Sequence, residues 1–122
     1  MSRAGKLRDA LEAVDRVLNR GGEADDVLRE VVAVLAERAG YAWAGIRFVE
    51  DGGPVLGPRA GDDAAAAGAT AFPVIFQGTR VATLEATGEL GAEDRAFLER
   101  VALLVSPYAL VGWDTGGEAW VP

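Results

Sequence analysis

The chain has 122 residues, half of them apolar and a quarter charged, which suits one compact domain (1–122) with a single core. With no cysteine and no histidine, it lacks disulfides, thiolate chemistry, imidazole acid–base chemistry and the usual transition-metal ligands. A net charge of −7 opposes nucleic acid and anionic lipid, so the expectation is no nucleic-acid partner, no membrane and no metal.

Residues 3–19 have the period of an amphipathic helix, with Leu7, Leu11, Val14 and Leu18 on one face and Gly21-Gly22 as its stop. Residues 1–20 hold five basic and three acidic groups, so the remainder carries −9. The surplus belongs either to a solvated face or to a basic helix docked on an acidic face of its own or a partner subunit. Charges interrupt this segment every few positions, unlike a signal peptide, which places the chain in the cytoplasm.

A second helix is predicted over 24–39. Asp25 and Asp26 favour the start of its dipole, and Val27, Leu28, Val31, Val32, Val34 and Leu35 cover well over half its circumference. Gly40 is positioned to close it. Tyr41–Val49 then reads as a central strand, apolar on both faces. Glu50-Asp51-Gly52-Gly53 forms a hairpin turn, and Pro54–Gly57 the return strand, which the prolines at 54 and 58 consign to a sheet edge.

Residues 61–69 are alanine-rich and make either one helical turn or a loop. Thr70–Gln77 and Arg80–Thr87 form a second hairpin. A last helix opens near Gly91, with Glu93 and Asp94 in its first turn, and Pro107 should end or kink it near Ser106. The core spans 24–111. The tail, 112–122, carries Trp113 and Trp120, so part of it is expected to dock on the domain or a neighbouring chain. The order α-α-β-β-β-β-α predicts an α+β fold: an antiparallel sheet of about four strands with helices gathered on one face.

Three stretches resemble the GAF domain family, closest to its free methionine-(R)-sulfoxide reductase branch, and cover about residues 24–105. They are Trp43-Ala44-Gly45-Ile46 running to Asp51, then Leu56-Gly57-Pro58-Arg59-Ala60-Gly61. The third is Gly78 to Leu84, followed by Glu93-Asp94-Arg95-Ala96-Phe97-Leu98. The resemblance implies a GAF-like (profilin-like) fold. It also implies a pocket lined by the positions of Trp43 and Arg47, the second aromatic in the relatives, with acids at the positions of Glu85 and Thr87. The reductases use cysteines that this chain lacks. Their long insert roofing the pocket is reduced here to Gly61–Ala69. Bilin and haem attachment in other GAF proteins also needs cysteine or histidine, so no cofactor is expected.

Trp43, Arg47 and Glu85 are therefore candidates for a shallow polar-aromatic site on one sheet face. Arg47 would offer two donors to a carboxylate or phosphate, and Trp43 a stacking surface. In the alternative, Trp43 covers the sheet and Arg47 pairs with Glu85. The carboxylate pairs Asp25/Asp26, Asp62/Asp63 and Glu93/Asp94 have neither a nucleophile nor a tuned partner, which argues against an enzyme. The helices present more apolar surface than one face of a four-strand sheet needs. In GAF proteins the first and last helices commonly pair with a second subunit. A homodimer through Leu7, Leu11, Val14, Leu18, Leu98, Val101 and Val105 is thus expected. A non-catalytic dimerisation or regulatory module with a signalling partner is the leading reading. A small-molecule sensor is the alternative, and a relic of the sulfoxide reductases a remote one.

Overall fold

The computed structural model describes residues 2–49 and 53–114. The elements are α1 (Arg3–Arg20), α2 (Ala24–Glu37), β1 (Trp43–Phe48), β2 (Val55–Gly61), the 3-10 helix η1 (Asp63–Gly68), β3 (Thr70–Phe76), β4 (Thr79–Thr87) and α3 (Ala92–Asp114). Apart from η1, this is the expected α-α-β-β-β-β-α order. No helix among the described residues is long and apolar enough to cross a membrane.

Local chemistry sets most boundaries. The Ser2 side chain accepts from the Gly5 N–H at 3.1 Å and caps α1, while Gly21, at φ 73°, closes it. Asp25 and Asp26 occupy the first turn of α2 as expected, and both contact Arg29 one turn on. The second hairpin closes through Gln77 and Gly78, both at positive φ as a type I′ turn requires.

Of the two outcomes expected at Pro107, an end or a kink, the helix does not end: α3 continues to Asp114. Proline at 107 cannot donate to the carbonyl four residues back. That carbonyl, Leu103 O, instead accepts the Ser106 hydroxyl at 2.8 Å. The neighbouring serine thus satisfies the group that proline leaves open. The first residues of the expected tail, 112–114, are accordingly helical. The expectation that the tail docks, with Trp120 and the Trp113 side chain, lies outside the described residues, as does the Glu50–Gly52 part of the first turn.

The strands form one antiparallel sheet in the order β2-β1-β4-β3. β1 is central, and β2 lies at an edge and runs on through Pro58 to Gly61. The even residues of β1, Ala44, Ile46 and Phe48, point with Phe72, Val74, Leu84 and Ala86 into the core. α2 packs over β1 and β2, and α3 over β3 and β4. α1 lies across α2 and α3, burying Leu7, Ala10, Val14 and Val17. Each fully buried Val or Leu side chain in this layer contributes about 1.5–3 kcal/mol, so three helices on one face form a sound core without a second chain.

Candidate functional site

Alternation along β1 turns Trp43, Gly45 and Arg47 to the face away from the helices. Across the ladder, β4 sets Thr87 opposite Trp43, Glu85 opposite Gly45 and Thr83 opposite Arg47. The three sequence-predicted residues, Trp43, Arg47 and Glu85, therefore share one face.

They do not form an open binding surface. Arg47 Nε donates to Glu85 Oε2 at 2.9 Å and Nη2 to Oε1 at 3.3 Å, a two-pronged pair across the sheet. The hydrogen bond that Arg47 donates to Glu85 raises the Arg47 pKa above its ordinary value, against a smaller opposing effect of burial. Trp43 is 0% exposed, so its ring has no surface on which a ligand could stack. Its indole lies flat over Gly45, where a Cβ would sit 2.5 Å from Trp43 Cη2. A side chain at 45 would lift the ring from the sheet.

The cover over the indole is η1, the alanine-rich stub. Asp62 caps it by accepting from Ala64 N–H at 3.0 Å. Asp63 Oδ1 accepts the indole N–H at 3.1 Å and faces Arg59 Nε at 3.3 Å. Thr87 donates its hydroxyl to Ala65 O at 2.8 Å. A short segment with no buried residue of its own is thus pinned across the sheet. The indole fills the space between η1 and the sheet. Asp63 was weighed from sequence only as half of a carboxylate pair. Its role as the indole's acceptor depends on a chain reversal that periodicity does not encode.

A second polar cluster joins three distant segments. Asp94 is 4% exposed and sits three residues beyond Gly91, whose N–H donates to Oδ2 at 3.2 Å in a capping arrangement. Its other oxygen accepts from Arg3 Nη2 at 2.6 Å, Arg3 Nε at 3.0 Å and the Tyr41 hydroxyl at 2.7 Å. The Arg3 guanidinium also lies 5.1 Å from the centre of the Tyr41 ring and donates to Ala39 O. Burial alone would raise the Asp94 pKa, but hydrogen bonds from Arg3, Tyr41 and Gly91 outweigh it and hold the carboxyl below its usual range. The Tyr41 phenol is pushed well up, by burial first and then by the carboxylate beside it. The acid at the third helical position is readable from sequence, but its partners 53 and 91 residues away are not.

Every member of the three carboxylate pairs except Glu93 therefore has a structural partner: Asp25 and Asp26 on Arg29, Asp62 on η1, Asp63 on Trp43, and Asp94 in the cluster. Two of the basic groups of α1 are likewise taken up within the chain, Arg3 by Asp94 and Arg20 by Glu30.

Of the seven residues expected at a subunit interface, Leu7, Val14, Leu98, Val101 and Val105 are buried in the chain's own core. They have almost no surface left to offer a second copy. Leu11 and Leu18 remain partly open. Two clefts stand out among the described residues. One, of about 470 Å3, runs along Gly57–Gly61 of β2 between Arg29, Arg59 and Asp63. The other, of about 400 Å3, lies between α1 and α3 and is lined by Leu7, Leu11 and Phe97 together with Arg8, Glu93 and Arg100.

No family model and no curated protein matches the sequence. Solved structures do match in fold. A free methionine-R-sulfoxide reductase from Neisseria meningitidis, in complex with its substrate, superposes with a TM-score of 0.76 at 17% identity, over 94% of this chain and 95% of that one. The GAF domain of a phosphoenolpyruvate-protein phosphotransferase from Coxiella burnetii gives 0.77 at 14% identity, over 93% and 98%. A Staphylococcus aureus enzyme of the first kind, also with substrate, gives 0.68 at 12%, over 84% and 95%. The chain has a GAF-like fold, in a form without cysteine.

Proposed function

We propose that this GAF-like domain is a non-catalytic regulatory module that acts in the cytoplasm through protein–protein contact, as a homodimer. One observation carries the reading: the Trp43 indole, wholly buried and bonded to Asp63, occupies the sheet face beneath η1 where the resemblance placed a ligand. Filling that space with a fixed side chain leaves the face without an enclosed chamber, and small-molecule sites are normally concave and enclosed. The absence of cysteine supports the non-catalytic half, since sulfoxide reduction by thiols is not open to this chain. The partly open Leu11, which lines the α1–α3 cleft, and the partly open Leu18 support the contact half.

A sensor is the second reading, supported by the cleft along β2. There the guanidiniums of Arg29 and Arg59 and the carboxylate of Asp63 face a space of about 470 Å3, a fit for a small molecule carrying both charges. Native mass spectrometry of freshly purified protein separates the two. The expected result is a dimer with no retained small molecule. A retained adduct, or a thermal shift with amino acids, nucleotides or keto acids that Arg59→Ala abolishes, would overturn the first reading in favour of the second.

A further inference from the structure

We propose that the groove between α1 and α3 receives an acidic amphipathic helix of a different protein. Its apolar face rests on Leu7, Leu11 and Phe97, and one of its carboxylates sits between Arg8 and Arg100. This rests on the protein-contact half of the reading above and names the partner's chemistry.

α1 and α3 run side by side, parallel and in step. Arg3 donates to Asp94 near the start of both helices, and Tyr108 donates to Leu18 O near the end of α1. Arg8 lies five residues beyond Arg3, and Arg100 six beyond Asp94, so the two stand at the same height on opposite walls of the groove. Among the described residues neither has an ion-pair partner, while Arg3 and Arg20 of α1 are committed to Asp94 and Glu30. Glu93 also lines the groove but pairs with neither arginine. Two like charges facing each other over apolar side chains repel, and a carboxylate placed between them turns that repulsion into two attractions.

The walls of the groove fix the rest of the partner. The groove runs from Ala4 to Leu11 on α1 and from Glu93 to Arg100 on α3, about 10 Å or two helical turns. Both walls are helices, whose backbone groups are bonded within themselves. An extended segment laid between them would leave its own backbone groups unpaired, whereas a helix brings only side chains to the contact. Two turns with an apolar residue at every third or fourth position fit such a groove. A second copy laid groove on groove would set arginine against arginine, so the occupant is a different chain. The net charge of −7 opposes an acidic partner at long range. Charges beyond about 8 Å are screened at physiological salt, so the arginines in the groove decide. The segment that forms one wall, residues 1–20, also holds five basic groups against three acidic.

The probe is a fluorescein-labelled, hydrocarbon-stapled helix of about 15 residues, with leucines along one face and glutamates beside them. Its counterpart carries lysine at every glutamate position. Fluorescence anisotropy on the full chain should show the glutamate helix binding about tenfold tighter than the lysine helix, with the difference shrinking as salt rises. Arg8→Glu and Arg100→Glu should each weaken the glutamate helix about tenfold, and the double variant should prefer the lysine helix. Both side chains are exposed, so the reversals leave the core untouched. Glu93→Gln should tighten the glutamate helix about twofold by removing the like charge in the groove. Sedimentation equilibrium of the same samples separates the inference from the reading it rests on. A dimer that binds the two helices equally, or a preference that the reversals leave unchanged, overturns the groove assignment alone. A dimer that the reversals dissociate gives the groove to a second copy and overturns it too. A monomer that binds neither helix overturns both.

Discussion

Replacing Asp94 by alanine should destabilise the domain by about 3 kcal/mol, an unusual amount for an acid in the first turn of a helix. Its carboxylate is the shared acceptor for Tyr41, Arg3 and the Gly91 N–H, and it is almost fully buried. Without it, the Tyr41 hydroxyl is left in the core with no acceptor, at a cost of about 1–3 kcal/mol. The lost bond to Gly91 removes a helix cap worth about 1 kcal/mol. Arg3 adds little, because its side chain is 35% exposed and can turn to water. In urea unfolding, with a slope of about 1.5 kcal/mol per molar, the midpoint should fall by about 2 M. Tyr41→Phe alone should cost only about 1 kcal/mol, because Asp94 keeps Arg3 and Gly91. In the double variant the orphaned hydroxyl is gone, so the two losses should sum to less than their separate values.

The acid limb follows from the depressed Asp94 pKa. The unfolded chain binds this proton more readily than the native state does, so the stabilisation is complete above about pH 4 and is lost as pH falls through the lower folded value. Asp94→Asn, which keeps an acceptor but cannot titrate, should flatten stability against pH below about pH 4. A loss under about 1 kcal/mol for Asp94→Ala, with strict additivity to Tyr41→Phe, would refute the argument that the carboxylate holds these three segments together.

Two further substitutions test the sheet face and the last helix. Gly45→Val should displace the Trp43 indole, since a Cβ there meets it at 2.5 Å, and cost about 2–4 kcal/mol. Its indole N–H resonance should lose its protection from solvent exchange, and unchanged protection would exclude the packing described. Ser106→Ala should cost about 1 kcal/mol by orphaning Leu103 O. In a Pro107→Ala background, where residue 107 can donate to that carbonyl, the loss should vanish. An equal cost in both backgrounds would mean that the hydroxyl acts elsewhere.

How much of this was legible depends on the range of the interaction. The helical period of α1 and α2, the two-sided apolarity of β1 and the edge position of β2 are local patterns, and the structure follows them. Pro107 left two outcomes open, an end or a kink, and the helix runs on because Ser106 supplies a donor to the carbonyl that proline cannot reach. The interface residues expose a different limit. An apolar stripe signals burial without naming the partner, and Leu7, Val14, Leu98, Val101 and Val105 find theirs within the chain. Trp43, Arg47 and Glu85 were correctly placed on one face. That the indole is covered by η1 follows from Trp43 and Thr87 bonding to Asp63 and Ala65 of a nine-residue alanine-rich segment whose composition carries no directional signal.

The sheet closes on nothing: β2 and β3 are its two outer strands. Each contains a proline, Pro58 and Pro73, and each ladder breaks register close by, between Gly45 and Arg47 and between Val74 and Ile75. Such irregularities deny a passing strand the long flat row of donors and acceptors on which fibrils grow. Val55 and Ile75, both on these rims and both exposed, are therefore sticky side chains on a backbone poorly shaped for pairing. The rims thus disfavour addition of a fifth strand, and the sheet stays four strands wide.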